Sequence, residues 1–130
     1  MKSGVPAIQI GTVDVRDVAD AHIRGAFLDD ASGRHIVFKD VVSFLDLALM
    51  LSDKYDADYS LPKKELPKWL VWLIGPLVDK TFSRKMISRN FGHPWRADNS
   101  KSVSALGLSY NSLKSSMEEM FQQMINQKRF

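Results

Sequence analysis

Two tyrosine–lysine pairs stand four residues apart in this chain, Tyr59 and Lys63 in YSLPK and Tyr110 and Lys114 in YNSLK. On one continuous helix that spacing puts a phenol and an ammonium on the same face, an arrangement suited to acid–base chemistry. Neither pair is given such a helix. Pro62 interrupts the first, and the second straddles a loop and a helix start. His22, His35 and His93 are 13 and 58 residues apart, so no two imidazoles share a helical turn and no metal site is expected. His22 reads as an ordinary helix histidine rather than a general base. There is no Gly-x-Ser-x-Gly elbow and no Gly-x-x-x-x-Gly-Lys loop, and the glycines at 4, 11, 25, 33, 75, 92 and 107 form no dinucleotide fingerprint. No residue is therefore assigned to catalysis, to cofactor or to metal, and the chain by itself is expected neither to bind a nicotinamide cofactor nor to oxidise one.

Composition narrows the function classes further. Eighteen basic and fifteen acidic residues are interleaved and leave a net charge of +3, a modest excess that does not mark a nucleic-acid binder. The absence of cysteine excludes a disulfide framework, thiolate zinc and a cysteine nucleophile, and suits a reducing compartment, with the cytoplasm as the expected location. The opening MKSGVPAIQIG has no apolar core of a signal peptide. The longest apolar stretch, WLVWLIGPLV from Trp69 to Val78, is about half of what spanning a bilayer requires. The basic run Lys80, Arg84, Lys85 and Arg89, interleaved with Phe82, Met86 and Ile87, has the make-up of a membrane-surface helix, although a solvated face on a packed helix is the simpler reading.

The elements that must carry these side chains follow from periodicity. Val13 and Val15 alternate with Thr12 and Asp14 as a short strand, and Asp17 is placed to cap a helix from about Val18 to Leu28. RHIVFK predicts a second strand centred on Ile36, Val37 and Phe38. Ser43 can cap a helix carrying Phe44, Leu45, Leu47, Ala48 and Leu51. Pro62, Pro67, Pro76 and Pro94 divide the middle of the chain into two short helices broken at Gly75-Pro76. Asp98 precedes a short helix that ends at Gly107, and Leu113, Met117, Met120, Phe121, Met124 and Ile125 form the core-facing stripe of a last helix.

Three stretches, VDVRDVADAHIRGAF (13–27), ASGRHIVFKD (31–40) and ADNSKSVSALGLSYNSLKSSMEEMF (97–121), together resemble the C-terminal part of extended short-chain dehydrogenases. The likeness is greatest to the dihydroflavonol-reductase-like reductases within the NAD-dependent epimerase/dehydratase family. The resemblance implies an α/β fold, mostly helical with two or three short strands. Residues 1–130 would then be a single C-terminal substrate-binding lobe, with NAD(P)H held by a missing N-terminal nucleotide-binding half. It implies structural roles for Asp14, Arg16 and Asp17 at a strand-to-helix turn and for Asp98, Ser100 and Lys101 at the start of a later helix. Sugar-nucleotide members carry an arginine where Ile10 stands here, which points to a small aldehyde or ketone substrate instead.

That carbonyl substrate would lie under the variable segment, at Trp69, Trp72, Leu73 and Leu77, where an apolar lid and plain packing of the lobe are equally good readings. The 34–39 strand would lack its neighbours, so self-association is expected. The alternative to a reductase lobe is a standalone, non-catalytic binding or interaction module built from the same lobe.

Overall fold

The computed structural model describes residues 4–78, 83–93 and 96–129. Among these residues the chain is a mostly helical α/β protein with six helices and four short strands. In order they are β1 (Val5–Pro6), β2 (Gln9–Thr12), α1 (Val15–Phe27), β3 (Asp40–Ser43), α2 (Phe44–Tyr55), β4 (Glu65–Leu66), α3 (Lys68–Val78), α4 (Arg84–Asn90), α5 (Ser100–Leu106) and α6 (Leu113–Asn126). β1 pairs in parallel with β4, with Val5 opposite Glu65 and Pro6 opposite Leu66, and β2 pairs with β3. The chain divides into two compact units, Met1–Ile10 with Val42–Trp95 and Gly11–Val41 with Arg96–Phe130.

In the first unit, Val71 of α3 packs with Ile87 and Phe91 at the far side of α4, and Ile8, Leu66 and Met86 close the cluster. Ile87 and Phe91 are wholly buried. α2 begins where expected: Ser43 Oγ accepts from the Asp46 amide while the Asp46 carboxylate accepts from the Ser43 amide, a reciprocal capping box. The expected break at Gly75-Pro76 does not occur, because α3 runs through Pro76 to Val78. Proline removes one bond to the carbonyl four residues back, and so near the helix end only the Trp72 carbonyl loses its helical partner.

In the second unit, Ala21 of α1 packs with Leu106 and Leu108, flanked by Ala31, Val37 and Tyr110. α5 ends at Gly107, whose φ of 65° is left-handed and therefore suits glycine. Its last carbonyls, Leu106 and Gly107, accept from Arg24 Nη1 of α1 at 3.2 and 2.8 Å, which ties the two helices at a point where a cation is favoured by the helix dipole.

Two expectations are corrected here. The first strand lies at Gln9–Thr12, before Val13 and Val15, and the helix starts at Val15 with Asp14 as its cap, so Asp17 is not the cap. Residues 34–38 form no strand, and the pairing segment is the following Asp40–Ser43. Val37 instead packs on the Ala21 cluster, Phe38 is buried, Ile36 is exposed, and the Phe38 carbonyl accepts from the Asn99 side chain at 2.8 Å. β-propensity shows only that a segment suits a half-buried pleated surface; here the helices and a side-chain amide satisfy it.

Candidate functional site

The first turn of α1 gathers most of the polar chemistry of the second unit. Asp14 is nearly sealed from solvent, with 8% of its surface exposed, and its carboxylate holds four donors. The Arg16 amide and Nε reach Oδ1 at 2.8 and 2.9 Å, while Arg16 Nη2 at 2.6 Å and the Ser116 hydroxyl of α6 reach Oδ2. The Arg16 side-chain bonds first, then Ser116, hold the Asp14 carboxyl well below the usual carboxylate range, against the opposing effect of burial. The same fork raises the Arg16 pKa, and Arg16 Nη1 also meets Glu119 of α6 at 3.0 Å.

One turn on, Asp17 is 5% exposed and accepts from both the backbone amide and the side-chain amide of Asn111. Two buried carboxylates on one helix turn would be costly if either lacked donors. Here both are satisfied, and they tie α1 to the loop and helix that follow α5. Beside them lies a groove of about 630 Å³, lined by Gly11–Arg16 on one side and by Leu113, Ser116, Met117, Glu119, Met120 and Gln123 on the other.

Asp98, Ser100 and Lys101 lie at the start of α5. The Asp98 carboxylate accepts from the Ser100 amide and hydroxyl, both at 2.9 Å, and these bonds, the backbone one first, lower its pKa. The helix cap proper is Asn99, whose side chain makes no capping bond. Lys101 Nζ donates to the Ser32 carbonyl at 2.9 Å. The Ser102 hydroxyl has one proton and donates it to the Asn99 carbonyl, so Tyr110 must be the donor in its 2.7 Å bond to Ser102 Oγ. Tyr110 thus has a structural partner, in a loop before the helix that carries Lys114.

The other candidate residues, Trp69, Trp72, Leu73 and Leu77, all lie on α3 in the first unit. They are open to solvent, from 40% for Trp72 to 86% for Leu77, and Ile74 joins them. The Arg84 guanidinium lies 4.6 Å from the centroid of the Trp72 ring. Phe82 and Lys80 of the basic run lie outside the described residues.

Sequence reading did not pick out Ser116, Glu119 or Asn111, and it placed Arg84 only in a basic run, not against Trp72. Ser116 left a faint signal, as a polar residue flanking the Leu113, Met117, Met120 stripe. Only Leu113 and Phe121 of that stripe are buried, and Met120 is exposed, so the stripe lines a groove as well as a core. Among the described residues no three histidine, cysteine or acidic side chains lie close enough to hold a metal ion. No helix among them is long and apolar enough to cross a membrane.

No protein-family model matches the chain, and no curated protein does. Among solved structures it is similar to Gre2 from Candida albicans in complex with NADPH, with 27% identity and a TM-score of 0.62. The match covers 95% of this chain and 32% of Gre2, so the chain spans about a third of that protein's length. The likeness supports a short-chain dehydrogenase/reductase-like fold, partial and Rossmann-type.

Proposed function

We propose that this chain is the substrate-binding C-terminal lobe of an NAD(P)H-dependent, dihydroflavonol-reductase-like enzyme that reduces a small aldehyde or ketone. The observation that carries this reading is the match of nearly the whole chain to a third of an NADPH-bound protein. On this reading cofactor binding falls to a nucleotide-binding half, and two strand-to-helix turns of the described residues support that division. Close approach of a diphosphate needs free amides and glycine at a strand-to-helix turn. Here the turn before α1 presents the Asp14 carboxylate, and the turn before α2 is closed by Ser43 and Asp46. The left-handed glycines, Gly33, Gly92 and Gly107, all follow helices instead.

The part left to this chain is recognition. Trp69, Trp72, Leu73 and Leu77 offer an apolar, partly aromatic face to a weakly charged carbonyl compound, and Arg84 over Trp72 sets a cation at its border. The test is a titration of the chain with NADPH, NADH and a panel of aliphatic and aromatic aldehydes and ketones, followed by tryptophan fluorescence and calorimetry. The expected result is saturable quenching by members of the carbonyl panel, weakened in Trp69→Ala and Trp72→Ala, with no low-micromolar cofactor binding. Tight NADPH binding, or turnover by the chain alone, overturns the division of labour. A panel without a single ligand overturns the substrate face.

A further inference from the structure

The α3 surface holds more than a small carbonyl compound would cover. Trp69, Trp72, Leu73, Ile74 and Leu77 are all at least 40% exposed on one helix of 11 residues. An exposed apolar patch of that density marks an interaction surface. Its electrostatic setting is one-sided. The described residues of 68–90 include Lys68, Arg84, Lys85 and Arg89 and no acid.

From this juxtaposition we propose that α3 and α4 form a docking face for an anionic membrane surface, with the α3 side chains entering the headgroup layer and the basic residues meeting lipid phosphates. Tryptophan prefers that layer, because its ring is apolar while its N–H needs a partner. The cation-over-ring contact of Arg84 with Trp72 sets a positive charge at the edge of the apolar face, and Lys85 and Arg89 are exposed on α4. The pair is built in advance: Ile87 and Phe91 are wholly buried with Val71, and Lys68 Nζ donates to the carbonyls of Ser88 and Phe91 at 3.2 and 2.8 Å. Binding therefore needs no folding step. α3 is too short to span a bilayer, so the mode is interfacial. A second copy is the poorer occupant, since a self-complementary contact would set the same cluster of cations against itself.

The proposal draws on the same α3 side chains as the substrate face, but its experiment contains no cofactor and no carbonyl compound, so its failure leaves the reductase reading to its own titration. The whole chain is sedimented with vesicles of phosphatidylcholine alone and of phosphatidylcholine mixed with phosphatidylglycerol, while tryptophan emission is followed. The expected result is binding to the mixed vesicles with a blue shift, weakening as salt is raised. Lys85→Ala with Arg89→Ala should lower the partition coefficient about fivefold per cation removed, and Trp69→Ser with Leu77→Ser should remove binding while leaving the fold intact, since both side chains are exposed. Failure to bind the mixed vesicles, or equal binding to both kinds, overturns the proposal. So does vesicle-free self-association that Trp69→Ser with Leu77→Ser abolishes, which would give the face to a second copy.

Discussion

At the head of α1 two carboxylates are almost sealed from water, whereas on α3 two tryptophans stand open to it. Each region inverts the usual placement of its residue types, and the physical consequences are opposite. The buried acids are stable there because every one of their bonds is answered: Arg16 and Ser116 serve Asp14, and Asn111 serves Asp17. That network specifies a geometry and leaves little spare capacity for a ligand. The α3 face has no such closure, and Trp69, Trp72, Leu73, Ile74 and Leu77 leave their apolar surface to solvent. The lesson is that the polar motif, which looks more like chemistry in the sequence, is spent on internal bonds, while the apolar segment is the one left open to solvent.

Four measurements sharpen or break that contrast. The largest effect belongs to the buried side of the α3–α4 pair. Phe91→Ala should cost about 3 to 5 kcal/mol in chemical denaturation, by loss of transfer energy and creation of a cavity; a small loss would mean that α4 is not anchored through its core side. Asp17→Ala comes next, at about 2 kcal/mol, because charge-assisted bonds to the Asn111 amides are removed. Asp17→Ser should recover little of it, since a short hydroxyl does not reproduce two accepted bonds, and full recovery would point back to a simple capping role.

Asp14→Asn should cost about 1 kcal/mol at neutral pH, within the range for a weakened cap. It has a pH signature as well. Because the folded-state pKa of Asp14 lies below its ordinary value of 3.8, its contribution is fully present above that value and is lost as the pH falls through the folded value. The wild-type chain should therefore lose stability more steeply than Asp14→Asn as the pH is lowered from about 4; parallel curves would show that the Arg16 fork is broken in solution. The smallest effect is expected on the open face. Leu77→Ser should change stability by less than about 0.5 kcal/mol, and a larger loss would show that α3 is covered in solution.

Much of the helical scaffold was legible in the sequence. Local signals fixed Ser43 as the cap of α2, Gly107 as the left-handed end of α5, and the existence of α6, because capping bonds and left-handed backbone depend on residues within a few positions of one another. The resemblance gave Asp14, Arg16 and Asp17 structural roles at a strand-to-helix turn, without separating the cap from its neighbours. Asp14 takes the cap that Asp17 was expected to hold, since both acids satisfy the local pattern and only the approach of Asn111 and Ser116 separates them.

What the sequence by itself determined is the mostly helical character of these 130 residues, that their glycines form no dinucleotide fingerprint, and an apolar tryptophan-bearing segment too short to span a bilayer. Only the tertiary structure decided which acids are buried, that α3 runs on through Pro76, and that residues 34–38 leave their β-prone side chains to helices while Asp40–Ser43 pairs with Gln9–Thr12. The reason is range. A cap or a glycine turn is settled by atoms a few residues away, but the partner of a strand or of a buried carboxylate comes from far along the chain, as Asn111 does for Asp17 across 94 residues, and single-sequence patterns do not encode which distant segment will arrive.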